Sequence, residues 1–155
     1  MDSKKLLRKA VKLSIESVKN GGGPFGAVVA KGGKIIAEKS NSVTVDCDAT
    51  AHAEINAIRQ AGKVLGTHDL SGCVIYSSCE PCPMCLSAIY WSGIKHVVYA
   101  NDKDDAASAG FRDAFIYKEF SLPHDEKSIF IVKIEDPEAI RAFELWNSND
   151  QAVQY

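Results

Sequence analysis

Two short runs, His52-Ala53-Glu54 and Pro81-Cys82-Pro83-Met84-Cys85, restrict this chain more than anything else in it. Cys82 and Cys85 stand at i and i+3, so at the start of a helix they share a face and can hold one ion. Pro83 suits that place, since an early helical residue needs no N–H partner within the helix. The partial positive charge of a helix N-terminus favours the thiolates that zinc requires. With His52, the two sulfurs supply three corners of a tetrahedron whose fourth is open to water. Zinc brings the pKa of such a water down to about 7. The chain must therefore carry both runs to one point.

The Cys pair by itself allows two readings. Pairs at this spacing also build structural zinc knuckles, and Cys79 offers a fourth ligand that would close the site. Glu54 favours a hydrolytic site, because a carboxylate beside a ligand histidine serves water chemistry and is of no use to a knuckle. Residues two apart on a regular helix point about 200° away from each other. His52 and Glu54 thus share a cavity only at the irregular start of a helix.

At 155 residues the chain reads as one domain, 1–155, and its 46% hydrophobic and 25% charged residues are ordinary for a globular protein. A net charge of −2 gives no pull toward a polyanion, so neither nucleic acid nor an anionic membrane is the expected partner. No apolar run reaches the length of a membrane span, and the basic N-terminus lacks the apolar region of a secretory signal. Five cysteines, three of them within residues 79–85, do not form a disulfide framework. A cytoplasmic location keeps such thiols available for metal.

The remaining pattern predicts a helix over 3–19, stopped at Gly21-Gly22-Gly23-Pro24, and a hairpin of 25–30 with 34–38 across Gly32-Gly33. A second helix is expected over 49–65, capped by Asp48 or Thr50. A short strand at 73–77 leads into a helix through Trp91; 96–100 is another strand, 129–134 a fifth, and 137–147 a closing helix. Strands alternating with helices after a hairpin imply an α/β fold, three-layer α/β/α, with a five-stranded mixed sheet and helices on both faces. His68, His96 and His124 have no ligand-spaced partners and read as surface or packing residues.

His52-Ala-Glu54 followed by Pro81-Cys-Pro-Met-Cys85 is the signature of zinc nucleobase deaminases, and the chain resembles the cytidine deaminase superfamily over nearly its whole length. The resemblance implies zinc on His52, Cys82 and Cys85 and Glu54 as a proton shuttle that does not touch the metal. It also implies a cytidine deaminase-like fold, leaves Cys79 a bystander, and makes Cys47 and Cys73 packing residues. Within the superfamily the chain is most similar to the small bacterial guanine deaminases. The stretches concerned are Gly22-Gly-Pro-Phe-Gly-Ala27, Ser78 to Cys85, Ala88-Ile-Tyr-Trp91 and Ala109 to Glu119. That resemblance implies hydrolysis of guanine to xanthine and ammonia, with a small nucleobase as partner. Asn41 and Asp113 would bond the purine, Phe25 would line the pocket, the backbone near Ala53 and Ser78 would meet the base edge, and Trp91 and Tyr155 would close the site. It further implies a homodimer in which a segment of about 118–155 is exchanged between subunits.

Alternatives stay open from the residues alone. Asn41 reads equally as a turn residue, Asp113 as a solvated carboxylate, Phe25 and Trp91 as core, and Tyr155 as a frayed end. Cytosine or guanosine are alternative substrates, and a noncatalytic zinc-binding module is the alternative of another class.

Overall fold

The computed structural model describes residues 2–155. Its first helix, α1 (Ser3–Lys19), starts where the Asp2 carboxylate accepts the Lys4 N–H at 3.3 Å and buries Leu6 and Ala10. β1 (Gly26–Lys31) and β2 (Lys34–Ser40) pair antiparallel across Gly32 and Gly33, whose φ values of 55° and 75° are open to glycine without a side-chain penalty. β3 (Cys73–Cys79) pairs antiparallel with β1 and parallel with β4 (His96–Asn101), giving the order β2-β1-β3-β4. A parallel pair needs a crossover, and α4 (Pro83–Trp91) supplies it.

The alternation of side chains along a strand divides the core into two layers. Val28, Ala30 and Tyr76 face Leu6 and Ala10 of α1. Ala27, Val29 and Ile75 face the other way, against Ala53, Ala57 and Ala61 of α3 (Ala53–Leu65) and Ile89 of α4. The alanines of α3 let its backbone lie close to the sheet. The α/β/α layering expected from the sequence is therefore present.

The sheet has four strands, not the expected five. Residues 129–134, Ile-Phe-Ile-Val-Lys-Ile, have the β-branched and aromatic composition of a strand, but among the described residues they pair with no other strand, and Phe130 is 96% exposed. Strand propensity without a partner's hydrogen bonds does not make a strand. The second helix begins at Ala53 rather than at 49, with His52 as its N-cap; Asp48 instead accepts the N–H and hydroxyl of Thr50 in a local turn. The last helix, α7 (Arg141–Asn147), is shorter than 137–147 because residues 137–140 form turns. Three short helices had no counterpart in the sequence reading: α2 (Val43–Asp46), α5 (Lys103–Ser108) and α6 (Ala114–Ser121). Cys73 packs in the core as expected, whereas Cys47 is exposed, in a left-handed conformation (φ 51°) that ends α2.

The chain separates into two compact units, one ending at Tyr117 and one comprising Lys118–Tyr155. The first contains the whole sheet. The second holds a 3₁₀ turn (His124–Glu126) and α7, and none of its residues is buried. No helix is long and apolar enough to cross a membrane.

Candidate active site

Both motif runs fall at helix starts. His52 is the N-cap of α3, extended at φ −68°, ψ 154°, and Cys82 is the N-cap of α4, extended at φ −65°, ψ 169°. Pro83 takes the first helical position and Cys85 sits half a turn further on. The His52 ring makes no capping bond to α3 and turns instead toward the two thiols at the start of α4. His52 Nδ1 lies 3.5 Å from Cys82 Sγ and 3.5 Å from Cys85 Sγ, and all three ligand atoms are within 4.8 Å of one another.

Those separations test whether zinc fits. Tetrahedral bonds of about 2.3 Å to sulfur and 2.0–2.1 Å to nitrogen imply an S···N edge of about 3.5 Å. The observed edges match, and the donor set of one imidazole and two thiols is the one zinc prefers. Cys79 is elsewhere: its thiol points at the Asp102 carbonyl at 3.4 Å, and burial raises its pKa to about 11. The side chains grouped so that they could hold a metal are therefore three, His52, Cys82 and Cys85, and Cys79 is not among them.

The three groups are also joined by hydrogen bonds. The hydrogen bond from Cys85 holds the Cys82 thiol well below its ordinary value, and Cys85 keeps its proton as the donor of that pair. The same Cys82 sulfur, accepting from the imidazole, raises the pKa of His52.

Glu54 lies in the first turn of α3 and is 5% exposed. Its Oε1 accepts the Ser77 hydroxyl at 2.9 Å, and its Oε2 is 3.5 Å from Cys85 Sγ. Burial pushes its carboxyl above the usual carboxylate range. A raised carboxyl beside a metal set, able to take and return a proton, is the equipment of general acid–base catalysis.

These groups open into a cavity of about 740 Å³ lined also by Phe25, Asn41, Phe111 and Asp113. Asn41 follows β2 and its Oδ1 accepts the Val43 N–H at 3.2 Å. A Cβ on Gly23 would stand 2.9 Å from that oxygen, so only glycine lets the turn close over the amide. Phe111 packs edge-on against Phe25, ring centroids 4.9 Å apart. Burial raises the pKa of Asp113 above its ordinary value.

Of the residues singled out from the sequence, Phe25, Asn41, His52, Glu54, Cys82 and Asp113 line this one cavity, and Cys85 stands behind it. Ala53 is adjacent but its side chain belongs to the core. Trp91, at the end of α4, lines a separate shallow depression with Arg59, Lys63 and His68. Tyr155 lies in the second compact unit, its ring 6.5 Å from that of Trp146. Sequence reasoning missed Ser77 and Phe111. Phe111 carried no local signal. Ser77 did: it shares the strand parity of Cys73 and Ile75, where an apolar residue is expected.

Comparison with known proteins agrees with this geometry. The cytidine and deoxycytidylate deaminase zinc-binding region matches residues 1–101. The chain is 49% identical to the guanine deaminase of Bacillus subtilis (strain 168) over 156 residues, 100% of each chain. An X-ray structure of the Bacillus subtilis guanine deaminase superposes with a TM-score of 0.97, covering 100% of this chain and 99% of that one. The guanine deaminase structure from Nitrosomonas europaea is more distant, at 33% identity and a TM-score of 0.68, over 72% of this chain and 65% of that one. The tRNA-specific adenosine deaminase of Aquifex aeolicus (strain VF5) is 38% identical over 64% of this chain and 66% of its own.

Proposed function

The chain belongs to the cytidine and deoxycytidylate deaminase zinc-binding family, and from that premise we propose that it hydrolyses guanine to xanthine and ammonia. The observation that carries the reading is the buried Glu54, within reach of Cys85 and inside a cavity that also holds Asn41 and Asp113. His52, Cys82 and Cys85 would hold zinc, and zinc when bound supplies a nucleophilic water near neutral pH.

The chain's own residues do the rest. Glu54 takes a proton from the attacking water and gives it to a ring nitrogen beside C2. The C2–O bond forms, Glu54 takes the second proton from the new C2 hydroxyl and passes it to the amine, and the C2–N bond breaks to release ammonia as the C2 carbonyl forms. Atoms balance: guanine and one water give xanthine and one ammonia. A noncatalytic zinc module would have no use for this carboxylate.

Guanine fits the polar groups available. Val43 engages the Asn41 oxygen, which leaves the amide NH₂ to donate to a purine acceptor. Asp113 accepts, and guanine brings a ring N–H and an exocyclic amine to be accepted. The full-length relatedness to a guanine deaminase supports the same choice over cytosine and over the adenosine of transfer RNA. Phe25 and Phe111 give the base an apolar wall.

Part of the reading is a cytoplasmic homodimer in which residues from about 118 onward are exchanged, bringing Tyr155 over a partner's site, with Trp91 helping to close the pocket. What supports it is a second unit that leaves most of its large apolar side chains exposed, Phe130, Ile134, Phe143 and Leu145 among them. Exchange of an identical element is a low-cost route to a symmetric dimer. Ammonia release from guanine, guanosine, cytosine, cytidine and adenine tests the substrate: guanine is expected well ahead, and a winning pyrimidine would overturn it.

A further inference from the structure

Every second residue of β3 faces the layer of α3 and α4. Cys73 and Ile75 are fully buried there, and so is Ser77, 1% exposed, one position before the end of that run. Its neighbours across the sheet are Ala27 on β1 and Tyr99 on β4. The adjacent Ser78 faces the other way and is engaged separately, its Oγ accepting the Gly26 N–H at 3.0 Å. The two serines thus have different duties. Ser77 donates its hydroxyl to Glu54 Oε1 at 2.9 Å, and both groups are out of solvent.

A glutamate is a poor fixed point. It turns about two staggered torsions, and its terminal carboxylate torsion is broad. In this site the two oxygens of Glu54 are not equivalent: Oε1 is held by Ser77, and Oε2 lies 3.5 Å from Cys85 Sγ, toward the ligand cluster. We propose that Ser77 is a positioning residue for the deamination, holding Glu54 by one oxygen so that the other stays aimed at the ligand cluster. The geometry gives the shuttle one fixed end and one working end. Proton transfer requires hydrogen-bond reach at both steps, and a carboxylate free to rotate spends part of its time out of reach. This inference rests on Glu54 being the proton shuttle. It adds that a strand residue, remote from the metal ligands in sequence, sets the aim of that shuttle.

The test is steady-state kinetics of zinc-loaded Ser77 variants on whichever base the wild type turns over fastest. Ser77→Ala is expected to retain its zinc and its KM within about twofold while kcat falls about 10–100-fold, since an interaction that aims the shuttle acts in the transition state. Ser77→Thr restores a hydroxyl and should recover kcat to within about threefold of wild type. Ser77→Val, nearly the shape of Thr without the hydroxyl, should behave as Ala. A crystal structure of the zinc-loaded Ser77→Ala protein should show the Glu54 carboxylate turned from its present orientation. The proposal is overturned by Ala or Val variants with kcat within twofold of wild type, by Thr no better than Val, or by an unmoved carboxylate. If Ala does not fold, the Thr and Val pair carries the comparison; loss of fold in every hydroxyl-free variant would make Ser77 a stability residue and end the idea. Another preferred base leaves this test intact, whereas an active Glu54→Gln protein would remove the shuttle reading itself.

Discussion

His52 and Glu54 are separated by one residue, yet their side chains converge on one sulfur. His52 Nδ1 and Glu54 Oε2 each lie 3.5 Å from Cys85 Sγ. On a regular helix the two would face opposite ways. They do not, because His52 is an extended N-cap and Glu54 belongs to the first turn. A helix boundary placed between them makes the proposed ligand and the proposed proton carrier neighbours in space.

Metal content follows from the ligand geometry. The purified protein is expected to carry about one zinc per chain, and His52→Ala, Cys82→Ala or Cys85→Ala should lose it. Cys79→Ala should keep it, since its thiol bonds the Asp102 carbonyl. Zinc loss from the Cys79 variant, measured by atomic absorption, would mean a closed four-ligand site.

Glu54→Gln separates binding from chemistry. The amide keeps the shape and a partner for Ser77, so fold and zinc content should be retained. Turnover should fall by a factor on the order of 10³ or more, because proton transfer belongs to the transition state. Near-normal kcat in that variant would assign the proton to another group.

How much of this was legible in the sequence depended on how local the physics is. The metal set could be read because cysteine spacing, a proline and a helix start act within one turn. That His52 and Glu54 can meet only at a helix start was also readable; that α3 begins at Ala53 was not, since the turn at Asp48 competes for the cap. Residues 129–134 carry a strand's β-branched and aromatic composition, but a strand is a property of two segments. Helix α5 was invisible because Lys103–Ser108 is too short to show a period; its Asp102 capping box identifies it only in hindsight. Ser77 stood out by its parity with Cys73 and Ile75, but a lone serine at an apolar position does not say what it bonds, and only the carboxylate opposite shows that.

Asp113 should show function set against stability. Burial raises its folded pKa above the ordinary value, so the folded state binds the proton more tightly than the unfolded chain. Stability is then lost as pH rises from the ordinary value through the raised one. Asp113→Asn removes the charge and is expected to raise Tm at pH 7 by about 1–3 °C, with little difference at pH 3. The same variant should lower kcat/KM for guanine by about 100-fold, through loss of a charge-assisted acceptor. A lower Tm at pH 7 would show the carboxylate to be stabilising instead.

The proposed exchange of the C-terminal segment has its own test. Deleting residues 149–155 should leave zinc content intact and cut guanine turnover by about 100-fold, through loss of a cover that excludes water. Sedimentation should give a dimer, and mixed dimers of Glu54→Gln and truncated chains should regain activity. A monomer, or full activity after truncation, would remove the exchange and leave the zinc chemistry untouched.

The ligands and Glu54 sit on the starts of helices anchored to the sheet, whereas Phe111 and Asp113 lie on an irregular stretch between α5 and α6. Reaction and recognition are thus built from parts with unequal tolerance for change. Replacing a residue at a helix start disturbs the core beneath it, while a loop accepts new side chains at small cost to the fold. In a descendant of this chain, the appetite for one base over another can drift through residues 109–113 while the hydrolytic apparatus is inherited whole.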